Sequence, residues 1–80
     1  MLDIKVLGPG CANCIKLEAM CHAIVTENNL QAKIEKVTKV EDFWKYGVML
    51  SPALVVNGRV LLQGKLPTMH TLTHWLIEYK

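Results

Sequence analysis

The sequence predicts an α/β fold: a mixed four-stranded sheet flanked by helices, with its elements in the order β-α-β-α-β-β-α. Three observations predict it. A period-two apolar alternation at the N-terminus gives way to a long stretch with helical periodicity. An Asn-Gly pair separates two apolar runs in the second half, the strongest short-range signal for a hairpin. The chain has 80 residues, of which 51% are hydrophobic and 20% charged, values that fit one small globular domain over residues 1–80 and exclude disorder.

Each element has its own signature. Leu2, Ile4 and Val6 alternate with Asp3 and Lys5, as in a half-buried strand, and Gly8-Pro9-Gly10 ends it. A helix is expected from about Ala12 to Glu27, with Cys14, Leu17, Cys21, Ile24 and Val25 on one apolar face and Asn28-Asn29 closing it. Gln31 to Val37 reads as a second strand, with Ala32 and Ile34 to one side. Its charged residues Lys33, Glu35 and Lys36 suit an exposed sheet edge. Two strands joined through a helix pair in parallel with a right-handed crossover.

Thr38-Lys39-Val40-Glu41 has the pattern of a capping box, opening a short helix that runs to about Tyr46 and stops at Gly47. Ala53–Val56 and Arg59–Leu62 flank Asn57-Gly58 and form an antiparallel hairpin. Gly64 marks a further turn. Pro67 suits the first position of the last helix, where its missing N–H costs nothing, and Leu72, Trp75, Leu76 and Tyr79 form that helix's apolar stripe.

Composition excludes several functions. Nine Lys+Arg against seven Asp+Glu leave a net charge of +2, Arg59 is the only arginine, and the lysines are spread from Lys5 to Lys80. A nucleic-acid binder concentrates its basic side chains to displace counterions from phosphates, and this chain does not. No apolar run approaches the roughly 18–20 residues of a membrane span. After Met1 the sequence goes straight into the strand alternation, where a signal peptide would have its apolar core, so the expected location is the cytoplasm. Thiols are kept reduced there, and three cysteines in that setting point to chemistry or metal binding rather than to structural cross-links.

The candidate chemistry lies in Cys11-Ala12-Asn13-Cys14, at the junction of the first strand and the first helix. Two cysteines at this spacing in a first helical turn have Cα atoms about 5 Å apart, inside the disulfide range of roughly 4.4–6.8 Å. The bond can open and close without moving the fold. Unpaired N–H groups and the positive end of the helix dipole favour the thiolate of the first cysteine, to which Asn13 is placed to add an amide donor. Thiol pKa values in such motifs fall to between ~3.5 and 7.5. Cys11 is therefore the expected nucleophile and Cys14 the resolving thiol. Two core cysteines at helical spacing are the bland alternative.

Other residues carry weaker signals. Cys21 lies seven residues beyond Cys14, about 10 Å along the helix, too far to bridge, and is expected in the core. His70 and His74 share a helical face, but most of the chain separates them from the cysteines, against about 12–15 residues in structural zinc sites. They are read as solvated, as is His22. Phe43, Trp44 and Tyr46 are read as core and rim packing. Val48-Met49-Leu50, ahead of Ser51-Pro52, fits core and substrate groove equally well.

Gly8-Pro9-Gly10-Cys11-Ala12-Asn13-Cys14 and Tyr46-Gly47-Val48-Met49-Leu50-Ser51-Pro52-Ala53-Leu54-Val55-Val56-Asn57-Gly58, together with the element order of the whole chain, resemble the small thioredoxin-like redox-active disulfide proteins. The resemblance implies the thioredoxin fold and thiol–disulfide oxidoreductase activity. It implies a cis-proline at Pro52 facing Cys11 and Cys14, with the backbone of Ser51 binding an extended substrate chain by strand addition. Gly10, Ala12 and Asn13 become the loop that supports the pair. The expected partners are a protein or small-molecule disulfide and a reductase or thiol reductant, with no cofactor, no metal, no nucleic acid and no membrane, and the chain is expected to be a monomer. The chain departs from thioredoxin and glutaredoxin in its central dipeptide Ala12-Asn13, in having no tryptophan before Cys11, and in having no acidic residue clearly beneath the pair.

A soft-metal carrier is the alternative. Such domains also place Cys-x-x-Cys after their first strand, and two thiolates suit Cu(I). They run β-α-β-β-α-β and end on a strand, whereas this sequence ends on a helical pattern.

Overall fold

The structure, a computed structural model, describes residues 1–79. Strand β1 spans Leu2–Leu7, helix α1 Ala12–Glu27, β2 Ala32–Val37, α2 Val40–Phe43, β3 Ala53–Val56, β4 Arg59–Gln63 and α3 Met69–Glu78, with a 3₁₀ turn over Trp44–Tyr46 after α2. The sheet order is β2-β1-β3-β4. β1 pairs in parallel with β2 and antiparallel with β3, and β3 pairs antiparallel with β4, with an irregularity between Leu54 and Val55. The expected element order and mixed sheet are both present, and the charged strand β2 lies at an edge.

Strand alternation divides the core in two. Leu2, Ile4, Val6, Leu54, Val56 and Leu62 pack with Leu17, Cys21 and Ile24 of α1 and with Leu72 and Leu76 of α3. Leu7, Ala53 and Val55 pack with Phe43 and Val48. Cys21 is completely buried, as its place on the apolar face of α1 requires.

The turns follow from local chemistry. Asn57 and Gly58 both take positive φ, 52° and 83°, as a two-residue hairpin turn demands. Gly47 ends the 3₁₀ turn in the left-handed region.

Three local expectations need correction. The capping box at Thr38 does not form: Lys39 is the N-cap of α2 and no side chain caps it. Gly8 N–H donates to the Val37 carbonyl at 2.9 Å, and Lys39 is itself extended, so the helix starts too late for Thr38 to reach a free N–H. Pro67 is not the first residue of α3. Thr68 is the N-cap, its hydroxyl accepting from Thr71 N–H at 3.2 Å, and Pro67 precedes it. Trp44 does not pack against the core but is 73% exposed; the buried aromatic is its neighbour Phe43, the last residue of α2.

Candidate active site

β1 ends at Leu7 beside Ala53 of β3, so the next residue, Gly8, lies alongside Pro52. The chain then turns through Gly10, whose φ of 95° is a glycine conformation, and enters α1 at Cys11. Cys11 is the N-cap. Its Sγ accepts from Cys14 N–H at 3.2 Å, and its carbonyl accepts from Ile15 N–H at 3.0 Å. A cysteine sulfur thus takes the capping place that a serine or aspartate oxygen usually fills.

Cys11 and Cys14 are joined by a disulfide with Cα atoms 5.0 Å apart, the separation a single helical turn provides. Their environments differ. Cys11 is exposed and Cys14 is buried, at 5% exposure. Ala12 and Asn13 lie exposed between them. Asn13 makes no side-chain hydrogen bond among the described residues, so the expected amide donor to Cys11 is not seen.

Two features surround Cys14. A Cβ placed on Gly8 would overlap Cys14 Sγ, and the same point lies 4.0 Å from Pro52 Cα. Gly8 is buried between the disulfide and Pro52, where only a residue without a side chain fits. The Ser51–Pro52 peptide is cis. Pro52 is buried, and Ser51 is exposed, with neither its N–H nor its carbonyl bonded to another described residue.

The apolar loop before Ser51 is neither all core nor all groove. Val48 is fully buried, whereas Met49 and Leu50 are 83% and 59% exposed. Trp44, Gly47, Val48 and Met49 line an open apolar cavity of about 330 Å³ next to it. Gln63 of β4 reaches this loop, its Oε1 accepting from the N–H groups of Met49 and Leu50. Neither Gly8 nor Gln63 was signalled by the sequence: one reads as a turn glycine and the other as a polar residue at a strand end.

Burial sets Cys21 apart from the disulfide pair. No charged or polar side chain is fully buried among the described residues, so no fully buried carboxylate lies beneath the pair. Lys5, on the α2 side of β1, bonds both Asp3 carboxylate oxygens at 2.8 and 2.9 Å and stands 5.9 Å over the Tyr46 ring. The Asp3 carboxylate holds its ammonium above the usual lysine value. Burial pushes the Cys21 thiol up to about 12, and Glu18 adds to the shift. His70 and His74 are exposed, His74 lies 3.0 Å from Glu78, and no set of three or more metal-ligating side chains gathers among the described residues. The described elements run β-α-β-α-β-β-α, not in the β-α-β-β-α-β order expected of the soft-metal carriers.

The chain matches the thioredoxin domain family over residues 2–77. It belongs to that family. Two proteins named thioredoxin show the same relationship. The one from Methanothermobacter thermautotrophicus is 32% identical over 65 residues, covering 81% of this chain and 84% of the relative. The one from Methanocaldococcus jannaschii is 27% identical over 79 residues, covering 99% and 91%. The fold is similar to that of the germline-specific thioredoxin Deadhead from Drosophila melanogaster, with a TM-score of 0.72 at 20% identity over 99% of this chain and 81% of that one. A thioredoxin domain with a disulfide-bonded Cys-x-x-Cys at a helix start is a thiol–disulfide oxidoreductase. Within the described residues, no helix of this thioredoxin domain is long and apolar enough to cross a membrane.

Proposed function

We propose that this thioredoxin domain reduces protein disulfides, with Cys11 as the attacking nucleophile, Cys14 as the resolving thiol, and Ser51 and Pro52 binding the substrate chain. The observation that carries the assignment is the asymmetry of the pair: Cys11 is exposed at the helix N-cap and Cys14 is buried behind it. An incoming disulfide meets Cys11 first. The helix N-terminus favours the Cys11 thiolate, since the N–H that now donates to its sulfur and the positive end of the helix dipole both stabilise negative charge there.

The reaction has two exchanges. The Cys11 thiolate attacks one substrate sulfur, forming a mixed disulfide and releasing the other sulfur as a thiolate. Cys14 Sγ, one helical turn away, attacks Cys11, closing the disulfide and releasing the second substrate thiol. Two electrons pass from the protein's dithiol to the substrate, and two protons end on its sulfurs. A reductase or thiol reductant restores the dithiol. The free backbone of Ser51 supports strand addition by an extended substrate segment, and the exposed Met49 and Leu50 beside it suit a protein rather than a small disulfide. The domain works as a monomer over residues 1–80, in the reducing cytoplasm.

The test uses insulin as a protein disulfide with dithiothreitol as reductant. Cys11→Ser should abolish turnover. With dithiothreitol left out, Cys14→Ser should accumulate a mixed disulfide with insulin through Cys11, seen as a mass adduct that later addition of dithiothreitol removes. If Cys14 alkylated before Cys11 in the reduced protein at neutral pH, the two roles would be reversed.

A further inference from the structure

The loop that precedes Pro52 has a consistent set of attachments, all to one place. Gln63 Oε1 accepts from Met49 N–H at 2.9 Å and from Leu50 N–H at 3.2 Å. The adjacent Gly64 N–H donates to the Pro52 carbonyl at 2.9 Å. The Leu50 side chain lies over Gly64, its Cδ1 3.0 Å from where a Cβ on that glycine would stand. Residues 49, 50 and 52 are thus held to the end of β4, and the residue in their midst, Ser51, keeps its N–H and carbonyl free.

Without Gln63 this stretch would have little to hold it. Met49 and Leu50 are exposed and contribute little burial, and the loop has no ladder partner before Ala53. A single amide oxygen with two lone pairs takes both N–H groups, which only an acceptor on a side chain of this length achieves from β4. The cost of ordering a flexible segment falls on binding unless the segment is already ordered.

We propose that Gln63 is a positioning residue for substrate. Through its two hydrogen bonds it holds the Met49–Leu50 backbone so that the Ser51 edge is ready to pair with an incoming chain. The proposal rests on the reading of Ser51 as the substrate-binding edge. Gln63 touches neither the cysteines nor the substrate, so its effect falls on KM rather than on the exchange steps.

The experiment measures insulin reduction by Gln63→Met, Gln63→Asn and Gln63→Glu. Gln63→Met keeps the length and removes the acceptor, Gln63→Asn keeps the amide but falls one methylene short, and Gln63→Glu keeps both length and acceptor. The first two should raise KM about tenfold, ~1.4 kcal/mol, with kcat changed less than twofold. Gln63→Glu should stay within twofold of the parent in both. Amide exchange at Met49 and Leu50 should quicken in Gln63→Met and not in Gln63→Glu. Should Gln63→Met fail to fold, Gln63→Asn carries the test.

A second measurement separates the proposal from the reading beneath it. In Cys14→Ser protein carrying a cysteine peptide on Cys11, the Ser51 amide should become protected from exchange. Protection of Ser51 with an unchanged KM in the Gln63 variants overturns the role of Gln63 alone. Absence of protection overturns the substrate edge and the proposal with it. A parallel fall in kcat and rise in KM that Gln63→Glu does not rescue marks Gln63 as merely structural and also overturns it.

Discussion

Cys21 shares a helix with the redox pair, yet its chemistry is opposite, because water reaches Cys11 and not Cys21. Its thiol is pushed up from 9.0 to about 12 by burial. The sign follows from linkage: a group whose folded-state value is raised stabilises the fold below its unfolded value and loses that contribution as pH rises toward the folded one. Between pH 9 and about 12 the unfolded chain therefore releases the Cys21 proton and the folded chain keeps it. Unfolding free energy should fall with pH over that window more steeply in the parent than in Cys21→Ala, as urea titrations at stepped pH will show. Equal slopes would mean that Cys21 ionises as an exposed thiol does.

Gly8 makes the contrast between what a sequence shows and what packing decides. The spacing of Cys11 and Cys14 was legible because one helical turn fixes their separation, whatever surrounds them. The glycine requirement at Gly8 comes instead from Cys14 Sγ, where the first turn of α1 folds back against the end of β1. No local pattern announces such a contact. Gly8→Ala should cost about 1–3 kcal/mol in the oxidised protein, the usual penalty for overpacking, and should be measured by urea unfolding. A loss below ~0.5 kcal/mol, the ordinary range for an unconstrained surface site, would show that the disulfide moves aside freely.

At the scale of elements, the helix starts were the least legible part, since several residues near each start carry capping chemistry. Thr38 and Thr68 both precede a helix, and only Thr68 caps one. The difference lies upstream: Gly8 N–H holds the Val37 carbonyl in the sheet, keeping the chain extended past Thr38. Thr68→Ala should lose about 1 kcal/mol of stability, whereas Thr38→Ala, exposed and without a capping bond, should stay within roughly 0.5 kcal/mol of the parent. Paired denaturant titrations check both, and equal losses would contradict the assignment of caps. Long periodic elements fared better. The apolar face of α1 was readable from Cys14, Leu17, Cys21 and Ile24, all of which are buried. The 3₁₀ turn after α2 is too short for periodicity to decide which aromatic turns inward, so the exposure of Trp44 was not readable.

For the whole molecule, two apolar clusters on either side of one sheet bring the ends of β1 and β3 together, and those ends carry the Cys-x-x-Cys and Pro52. The cysteine pair was legible from local spacing. Gln63 was not, because its partners at Met49 and Leu50 lie across the β3–β4 hairpin. The central claim is that Cys11 and Cys14 form a reversible two-electron couple while Cys21 stays outside it. A titration against graded ratios of reduced to oxidised dithiothreitol, quenched by alkylation and read by peptide mass, tests it most directly. One two-electron transition is predicted, in which Cys11 and Cys14 lose and regain alkylation together. Cys21, blocked only after denaturation, should remain a free thiol throughout. Full alkylation of both Cys11 and Cys14 after strong oxidation, or a transition that includes Cys21, would contradict the account.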